Sequence, residues 1–399
     1  MERRAFLVAV GGVATTAVSA RRVRGANDRL GVAVVGSGRR GRQVMQKMLE
    51  TGRVELRALC DVYDEQRRRA REELLGPGTS VYETTALEDV LARRDVDAVL
   101  LATPDHLHQG YAIAVLRSGR HLYLEKPSTL RLEEGEALLE AARQSGRVCQ
   151  TGTQQRSSTH YKQAKERYFG ERSPLGDVVF VRAQWSDFGW QRRRIEPRPR
   201  PAGLDWERFL GPAPRIPYDW ARYDAWRNYR EYAGGILSDL LTHWADVAQW
   251  MMDDAQPRNA VTTGGIYYLE DGRSNPDTVN AILEYRGGWN LSFECTVMPV
   301  RLPRASVLFL GTEGSLEISR EGYTHTPHTG PARVVTATAD LEHEHVVDFL
   351  DAVRDGRRPS ADIAIGLEAV RPAHLAVAAH WSRKRMRFDE ELAHIVEDV

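Results

Sequence analysis

Short apolar runs alternate with amphipathic helical segments over the first part of the chain. The run Leu30–Val35 comes first, and further apolar runs follow at VELRALCD, VDAVLLATP, RHLYLEKP and RVCQTGTQ. Apolar strands that alternate with helices are typical of a parallel sheet covered by helices on both faces. Residues 29–152 are therefore predicted to form a doubly wound α/β domain.

The pattern changes from Thr151 onward. LGDVVFVRAQWSDF, DTVNAILEYRGGWNLSFECTV, ASVLFLGTEGSLEIS and PARVVTATA have the alternation of strands, with turn signals between them. HVVDFLDAVRDG and AIGLEAVRPAHLAVAAHWSRK are predicted helices, and Pro372 should kink or interrupt the second. Residues 153–399 are therefore predicted to form a second α/β domain with an antiparallel sheet, whose last helix could pack back on the first.

The charge balance excludes some classes of partner. The 399 residues carry 55 basic and 55 acidic side chains, so no overall field attracts nucleic acid or an anionic membrane. The three cysteines, Cys60, Cys149 and Cys295, have no CxxC spacing, which excludes a zinc site or a redox dithiol on that pattern. One disulfide remains open.

The first residues resemble an export signal. MERRAFLVAVGGVATTAVSA has paired arginines, then a mildly apolar run that ends in small residues, with cleavage expected at Val18-Ser19-Ala20. We expect residues 1–28 to be a twin-arginine signal and linker and the protein to be periplasmic; a disordered tail is the alternative. No later segment is apolar enough to span a membrane.

A glycine-rich turn lies between the first strand and the first helix, the context that a dinucleotide-binding motif requires. Its glycines would make the tight turn, let the backbone approach a pyrophosphate, and let helix and strand pack closely. Asp61 ends the second strand and would accept the ribose hydroxyls, which favours NAD over NADP. The predicted cofactor contacts here are Gly36, Ser37, Gly38, Arg39, Arg40, Gly41 and Asp61.

Two further groups of polar residues follow strands of the same sheet, where ligands bind in such folds. The predicted contacts are Thr103, Pro104 and His108 after one strand, and Glu125 and Lys126 after the next. Lys126 is singled out, because a buried ammonium beside a nicotinamide can orient a substrate hydroxyl, and burial lowers its pKa toward a useful range. A surface pair of Glu125 with Lys126 is the alternative.

The segment GGILSDLLTHWADVAQW predicts a helix with an unusual polar face. Asp239, His243 and Asp246 fall on one side of it, opposite an apolar stripe. The acid and the imidazole are one turn apart, so they are either a satisfied pair at the edge of the core or a pair that handles a proton. Asp246 could form only a local pair.

Together, the glycine turn, TPDHLH, the EKP tripeptide and GGILSDLLTHWAD resemble the glucose–fructose oxidoreductase / inositol dehydrogenase / MocA family from about Leu30 to the end of the chain. The resemblance implies a Rossmann domain that binds NAD, and a second domain with a large, mostly antiparallel sheet. Its outer face would form a homo-oligomer, a dimer or tetramer. The resemblance also implies that Lys126 and His243 are catalytic, and that Asp239 holds or orients the substrate.

The second half is rich in tryptophan, which suits a carbohydrate pocket, because aromatic rings stack on sugar rings. The irregular stretch from Trp190 to Tyr232 could cap the active site or embrace a partner subunit. Arg227 and Tyr229, just before the two glycines, are predicted substrate contacts. His325 and His328 are interpreted as loop residues, and no metal site is expected.

Export outside the cytoplasm removes the pool that would recycle a released cofactor, so NAD would stay bound and return to its starting state in each cycle. One hypothesis is an oxidoreductase that oxidises a sugar hydroxyl and reduces a second carbonyl. Another is a redox-neutral glycosidase that oxidises, eliminates, adds water and reduces. A non-catalytic protein that binds NAD or a sugar is the third.

Overall fold

Six parallel strands form the first sheet, in the order β3-β2-β1-β4-β5-β6. The computed structural model describes residues 29–186, 195–299 and 305–398, so the predicted export signal lies outside the described residues. The strands are β1 (Leu30–Val35), β2 (Val54–Cys60), β3 (Tyr82–Thr84), β4 (Ala98–Leu101), β5 (His121–Leu124) and β6 (Cys149–Thr151). The helices between them are α1 (Arg39–Glu50), α2 (Asp64–Leu75), α3 (Leu87–Leu91), α4 (Asp105–Arg117) and α5 (Gly135–Ser145).

Ten strands form the second sheet, in the order β14-β13-β12-β11-β7-β10-β9-β8-β15-β16. Its neighbours pair antiparallel except β7 and β10, which are parallel, so the predicted fold class is confirmed. The strands are β7 (Val178–Gln184), β8 (Pro257–Gly265), β9 (Thr278–Tyr285), β10 (Asn290–Thr296), β11 (Ser306–Gly311), β12 (Gly314–Ser319), β13 (Gly322–Pro327), β14 (Arg333–Thr336), β15 (Met386–Asp389) and β16 (His394–Glu397).

The remaining helices lie against the second sheet, against the first domain or in the segment between β7 and β8. They are α6 (Thr159–Tyr168), α7 (Trp206–Leu210), α8 (Trp220–Asp224), α9 (Thr242–Met252), α10 (Leu341–Asp355) and α11 (Ile363–Ser382). Phe349 of α10 lies in the core of the first domain. α11 begins there with Ile363 and continues into the core of the second domain with Leu375. It runs through Pro372 without the predicted interruption.

Three smaller expectations are settled by the coordinates. All three cysteines are buried and none forms a disulfide, which answers the question that the sequence left open. His325 lies in β13 and not in a loop, because the segment around it pairs with β12, where His325 is opposite Leu316. Among the described helices, none combines the length and apolarity needed to cross a membrane.

The segment 199–233, here called the cap, lies on the first domain. The main-chain N–H of Asp205 donates to the oxygen of Val62 at 2.8 Å, and that of Asp64 donates to the oxygen of Gly203 at 3.1 Å. The ring of Tyr63 meets Tyr223 edge to face at 5.7 Å between centroids. Of the two predictions for this stretch, these contacts match a segment that covers the site.

Candidate active site

The glycine turn between β1 and α1 is tightly packed at its two ends and open in the middle. Gly36 has φ +88°, and a Cβ there would lie 2.5 Å from the oxygen of Ala102. A Cβ on Gly41 would lie 2.1 Å from the oxygen of Gly36, so neither position tolerates a side chain. Gly38 has nothing within 4 Å of its ideal Cβ, and α1 begins just after it with free N–H groups. The turn therefore fits a dinucleotide phosphate.

Asp61 lies at the carboxyl end of β2, beside this turn. Its carboxylate accepts the N–H of Ser37 at 2.7 Å and that of Tyr63 at 3.0 Å. Burial raises the pKa of Asp61 to about 6, although both hydrogen bonds act to lower it. A carboxylate has further lone pairs, so the group can still accept hydroxyls of a ribose.

A crevice of about 270 Å³ runs along the carboxyl ends of the strands. The predicted cofactor residues that line it are Gly36, Gly38, Arg39, Asp61, Thr103 and Pro104. The cap forms the other wall with Tyr223, Asp224, Trp226 and Arg227. The first domain thus supplies a backbone cradle, and the cap covers it with aromatic and charged side chains.

Three predicted cofactor contacts, Arg40, Glu125 and His108, have partners within the protein. Arg40 donates to Glu125 at 2.7 Å and to Glu342 of α10 at 2.8 Å. The two ring nitrogens of His108 lie 2.6 Å from the oxygen of Pro127 and 2.9 Å from that of Thr103. Because buried charged and polar groups need partners, these side chains fix the walls of the crevice and do not line it.

Lys126 crosses from the first domain to the second. Its Nζ lies 2.5 Å from Oδ1 of Asp239 and 2.8 Å from the main-chain oxygen of the same residue. Both side chains are nearly buried, at 11% and 12% exposure. The ammonium is therefore held one helical turn before His243, and the alternative, a surface pair with Glu125, does not form. The substrate-holding role of Asp239 stays a prediction.

The two glycines before this helix explain its position. Gly235 has φ +65°, and a Cβ there would lie 2.8 Å from the Cβ of Asn275. The side-chain amide of Asn275 donates to the oxygens of Arg227 and Ala233, both at 2.9 Å. The chain then enters a π-helical turn, Leu237–Leu241, which carries Asp239, before α9 begins. The backbone needs glycine there to bring Asp239 to Lys126.

His243 is buried, and its Nδ1 lies 3.2 Å from Oε1 of Gln155. With the Gln155 amide in this orientation its oxygen faces the ring, so Nδ1 is assigned the hydrogen and Nε2 the lone pair. Burial, followed by the charges of Lys126 and Arg320, holds the pKa of His243 well below its usual range. A neutral imidazole can accept a proton.

Gln155 was not predicted, and a long-range ion pair positions it. Arg156 lies next to it, and its Nε donates to Oδ1 of Asp246 on α9 at 2.8 Å. Asp246 thus pairs with a residue 90 positions away and not with a local one. The short 3₁₀ turn that contains Gln155 is held against α9, which sets the distance to His243.

Asp105 is a second buried acid that sequence reasoning left unassigned. It opens α4 after the TP dipeptide and is 3% exposed. Burial, and then the carboxylate of Asp239, raise the pKa of Asp105 to about 8, against the charges of Arg227 and Lys126. Asp105 is thus a protonated carboxyl at neutral pH, close to the pair of Lys126 with Asp239.

The two residues predicted to contact substrate lie in different environments. Arg227 lines the crevice, with Nε 3.6 Å from Oδ1 of Asp239. Tyr229 is 4% exposed in the apolar core of the cap with Trp206 and Phe209, so the prediction that it contacts substrate is not supported by its position. The Tyr229 ring is buried by the other apolar side chains of the cap.

The family models match both halves of the chain. The oxidoreductase family model with an NAD-binding Rossmann fold matches residues 30–153, and the GFO/IDH/MocA C-terminal domain model matches residues 213–317. The chain belongs to the GFO/IDH/MocA family. As a member of that family it is an oxidoreductase with an NAD-binding domain, and NAD fits the turn and the acid described above.

Two proteins similar to this chain have the names of carbohydrate-active enzymes. A 1,5-anhydro-D-fructose reductase of Ensifer adhaerens is 26% identical over 329 residues, 76% of this chain and 84% of that protein. A glycosyl hydrolase family 109 protein of Shewanella baltica is 31% identical over 127 residues, which are 31% of this chain and only 28% of that protein.

The fold has solved counterparts as well. A levoglucosan dehydrogenase, solved with NADH and levoglucosan, superposes with a TM-score of 0.71 at 18% identity. The match covers 90% of this chain and 99% of that one, so both domains of the GFO/IDH/MocA fold are present.

Proposed function

We propose that this protein is an NAD-dependent sugar oxidoreductase that moves a hydride between its cofactor and a carbon that bears a hydroxyl. One observation carries the proposal. Lys126 of the first domain and the helical turn before His243 of the second meet at 2.8 Å, beside the cofactor crevice. Alcohol oxidation requires a base for the hydroxyl proton and a donor that stabilises charge on the oxygen, and a neutral imidazole and an ammonium can supply these.

NAD, when bound, supplies the acceptor for the hydride. In this chain, His243 takes the proton of the sugar hydroxyl on Nε2, because its other nitrogen is occupied by Gln155. Lys126 donates a hydrogen bond to the same oxygen and stabilises the negative charge that develops on it. Asp239 holds the ammonium in place.

We further propose that the cofactor stays bound throughout the cycle. The support is the cap, which contributes Tyr223, Trp226 and Arg227 to the wall of the crevice. A closed cycle then requires that a second carbonyl compound re-oxidise the reduced cofactor. This requirement suits an exported, periplasmic protein, which is what the paired arginines at residues 3 and 4 lead us to propose.

The test starts from protein purified without added cofactor. Denaturation should release about one NAD per chain, and addition of a sugar should reduce the cofactor that is bound. A second, carbonyl-bearing sugar should then restore the oxidised form. Protein that emerges empty would contradict retention, and bound NAD that no sugar reduces would favour the non-catalytic alternative.

Asp105 favours a second candidate, the redox-neutral glycosidase. Elimination of a glycosidic group needs a further proton carrier, and a protonated carboxyl beside Lys126 and Asp239 offers one. The likeness to family 109 hydrolases is compatible with this activity, although it covers only 31% of this chain. Release of a phenol from aryl glycosides without net NADH would identify it. Asp105→Asn should then abolish phenol release and leave reduction by a free sugar.

We also propose a homo-oligomer, a dimer or tetramer. The second sheet exposes several large apolar side chains, namely Val179, Phe180, Val261, Ile282 and Val334. Val261 and Ile282 are paired neighbours on β8 and β9, and exposed apolar surface of this kind marks interaction sites in soluble proteins. Sedimentation should give a dimer or tetramer, and Ile282→Glu should give smaller species; a monomeric wild type would contradict the proposal.

A further inference from the structure

Arg320 reaches the substrate side of the site from the second sheet. It lies in the turn between β12 and β13, and its guanidinium carbon is 5.0 Å from the centroid of the Trp185 ring. The Trp185 ring is in turn 5.6 Å from the ring of His243, tilted by 33°. Arg320 is also among the cations that act on His243. Its charge is therefore felt where the substrate hydroxyl would lie.

Arg320 differs from Arg156 and Arg40, two other arginines near the site, in its partners. Arg156 is paired with Asp246, and Arg40 with Glu125 and a second carboxylate. Within residues 29–186, 195–299 and 305–398, Arg320 forms no ion pair or side-chain hydrogen bond, and its Nε is buried without a partner. A buried donor without an acceptor costs stability, so such a group in an active site indicates a ligand.

The charges around His243 point the same way. Lys126 and Arg227 share one carboxylate, Asp239, and Asp105 is protonated at neutral pH. The charged groups with the largest influence on His243 are Lys126, Arg320 and Arg40, and no carboxylate is among them. The substrate side thus has an excess of positive charge, which an anionic group would balance.

We propose that Arg320 binds a carboxylate of the sugar substrate, so that the substrate class is a uronic acid or a glycoside of one. A guanidinium binds a carboxylate through two parallel hydrogen bonds. Trp185, between Arg320 and His243 in the chain of contacts, offers a flat face for the sugar ring. The inference rests on the proposed sugar oxidoreductase and specifies its substrate.

Titration calorimetry with matched sugars tests the assignment. We expect the purified holoprotein to bind glucuronate and galacturonate about ten- to a hundredfold more tightly than glucose and galactose. Arg320→Gln should remove that preference and leave the affinity for the neutral sugars unchanged. Arg320→Lys should restore part of the preference. Arg333→Gln, on the exposed strand β14, is the matched control and should change nothing.

Several outcomes would overturn the proposal. Equal or weaker binding of both uronates by the wild type would do so, even if the variants do not fold. An Arg320→Gln loss that is the same for charged and neutral sugars would indicate a structural role only. Tighter binding of glucose 6-phosphate than of glucuronate would mean that Arg320 binds a phosphate and not a carboxylate.

The same samples separate this inference from the proposed function. Reduction of bound NAD by neutral sugars, with no effect of charge, would leave the oxidoreductase and refute the anion site. Uronate binding that depends on Arg320, with no reduction of NAD by any sugar, would leave the anion site and refute the oxidoreductase.

Discussion

The cofactor side and the substrate side of this site differ in how their charges are compensated. On the cofactor side, Arg40 is matched by Glu125 and Glu342, and Asp61 accepts two backbone N–H groups. On the substrate side, Lys126 and Arg227 compete for Asp239. The first arrangement is complete in the protein alone, whereas we propose that a ligand completes the second. Substitutions on the two sides should therefore affect different measurements.

The largest effect is expected on the substrate side, at His243. His243→Ala should lower kcat by about 10²- to 10⁴-fold, because the proton of the sugar hydroxyl loses its acceptor. Bound NAD, measured after denaturation, should stay at the wild-type amount. His380→Ala, on α11, is the control and should leave both quantities unchanged. Unchanged turnover in His243→Ala would remove the imidazole from the mechanism.

Lys126→Met should lower kcat by about 10²- to 10³-fold, since the charge that develops on the substrate oxygen loses a donor. It should also lower the melting temperature, because the buried carboxylate of Asp239 loses its ion pair with the ammonium. The double variant with Asp239→Asn should melt higher than Lys126→Met alone. Lys162→Met, at an exposed position of α6, is the control. If the double variant melts lower still, the two side chains are not a compensated pair.

Gly38→Ala tests the cofactor side alone. A Cβ at Gly38 meets no protein atom within 4 Å, and its φ of −64° suits alanine, so folding should be unaffected. The same Cβ would occupy the space of the pyrophosphate, and we expect NAD affinity to fall about tenfold or more. Gly110→Ala, which also has open space, should keep its cofactor. Full NAD content in Gly38→Ala would place the phosphates elsewhere.

The sequence could predict the cofactor side further than the substrate side. The glycines and Asp61 are local signals, because a tight turn, a helix start and a strand end lie within one βαβ unit. Helical spacing likewise placed Asp239 and His243 on one side of a predicted helix. Those features depend on neighbours along the chain. The structure has the strand end at Asp61 and a helix that contains His243, whereas Asp239 lies in a π-helical turn that the spacing did not predict.

What the sequence could not predict depends on contacts between distant residues. Arg40 meets Glu342 across 302 positions, and Lys126 meets Asp239 across 113. Gln155 becomes the partner of His243 only because Arg156 binds Asp246. Nothing in the local pattern of these side chains specifies a partner, since an arginine in a glycine turn suits a phosphate as well as a carboxylate.

The smallest effect, a shift in a pH profile, concerns Gln155. Because the pKa of His243 is lowered, the imidazole stays neutral below its ordinary value of about 6.5, and the acid limb of kcat/KM should lie below that pH. Gln155→Glu places a carboxylate against Nδ1, which favours the charged imidazole and should move the limb up by about one pH unit. Gln155→Met should lower activity without moving the limb, since it removes a hydrogen bond and adds no charge. A limb that both variants leave in place would mean that another group titrates there.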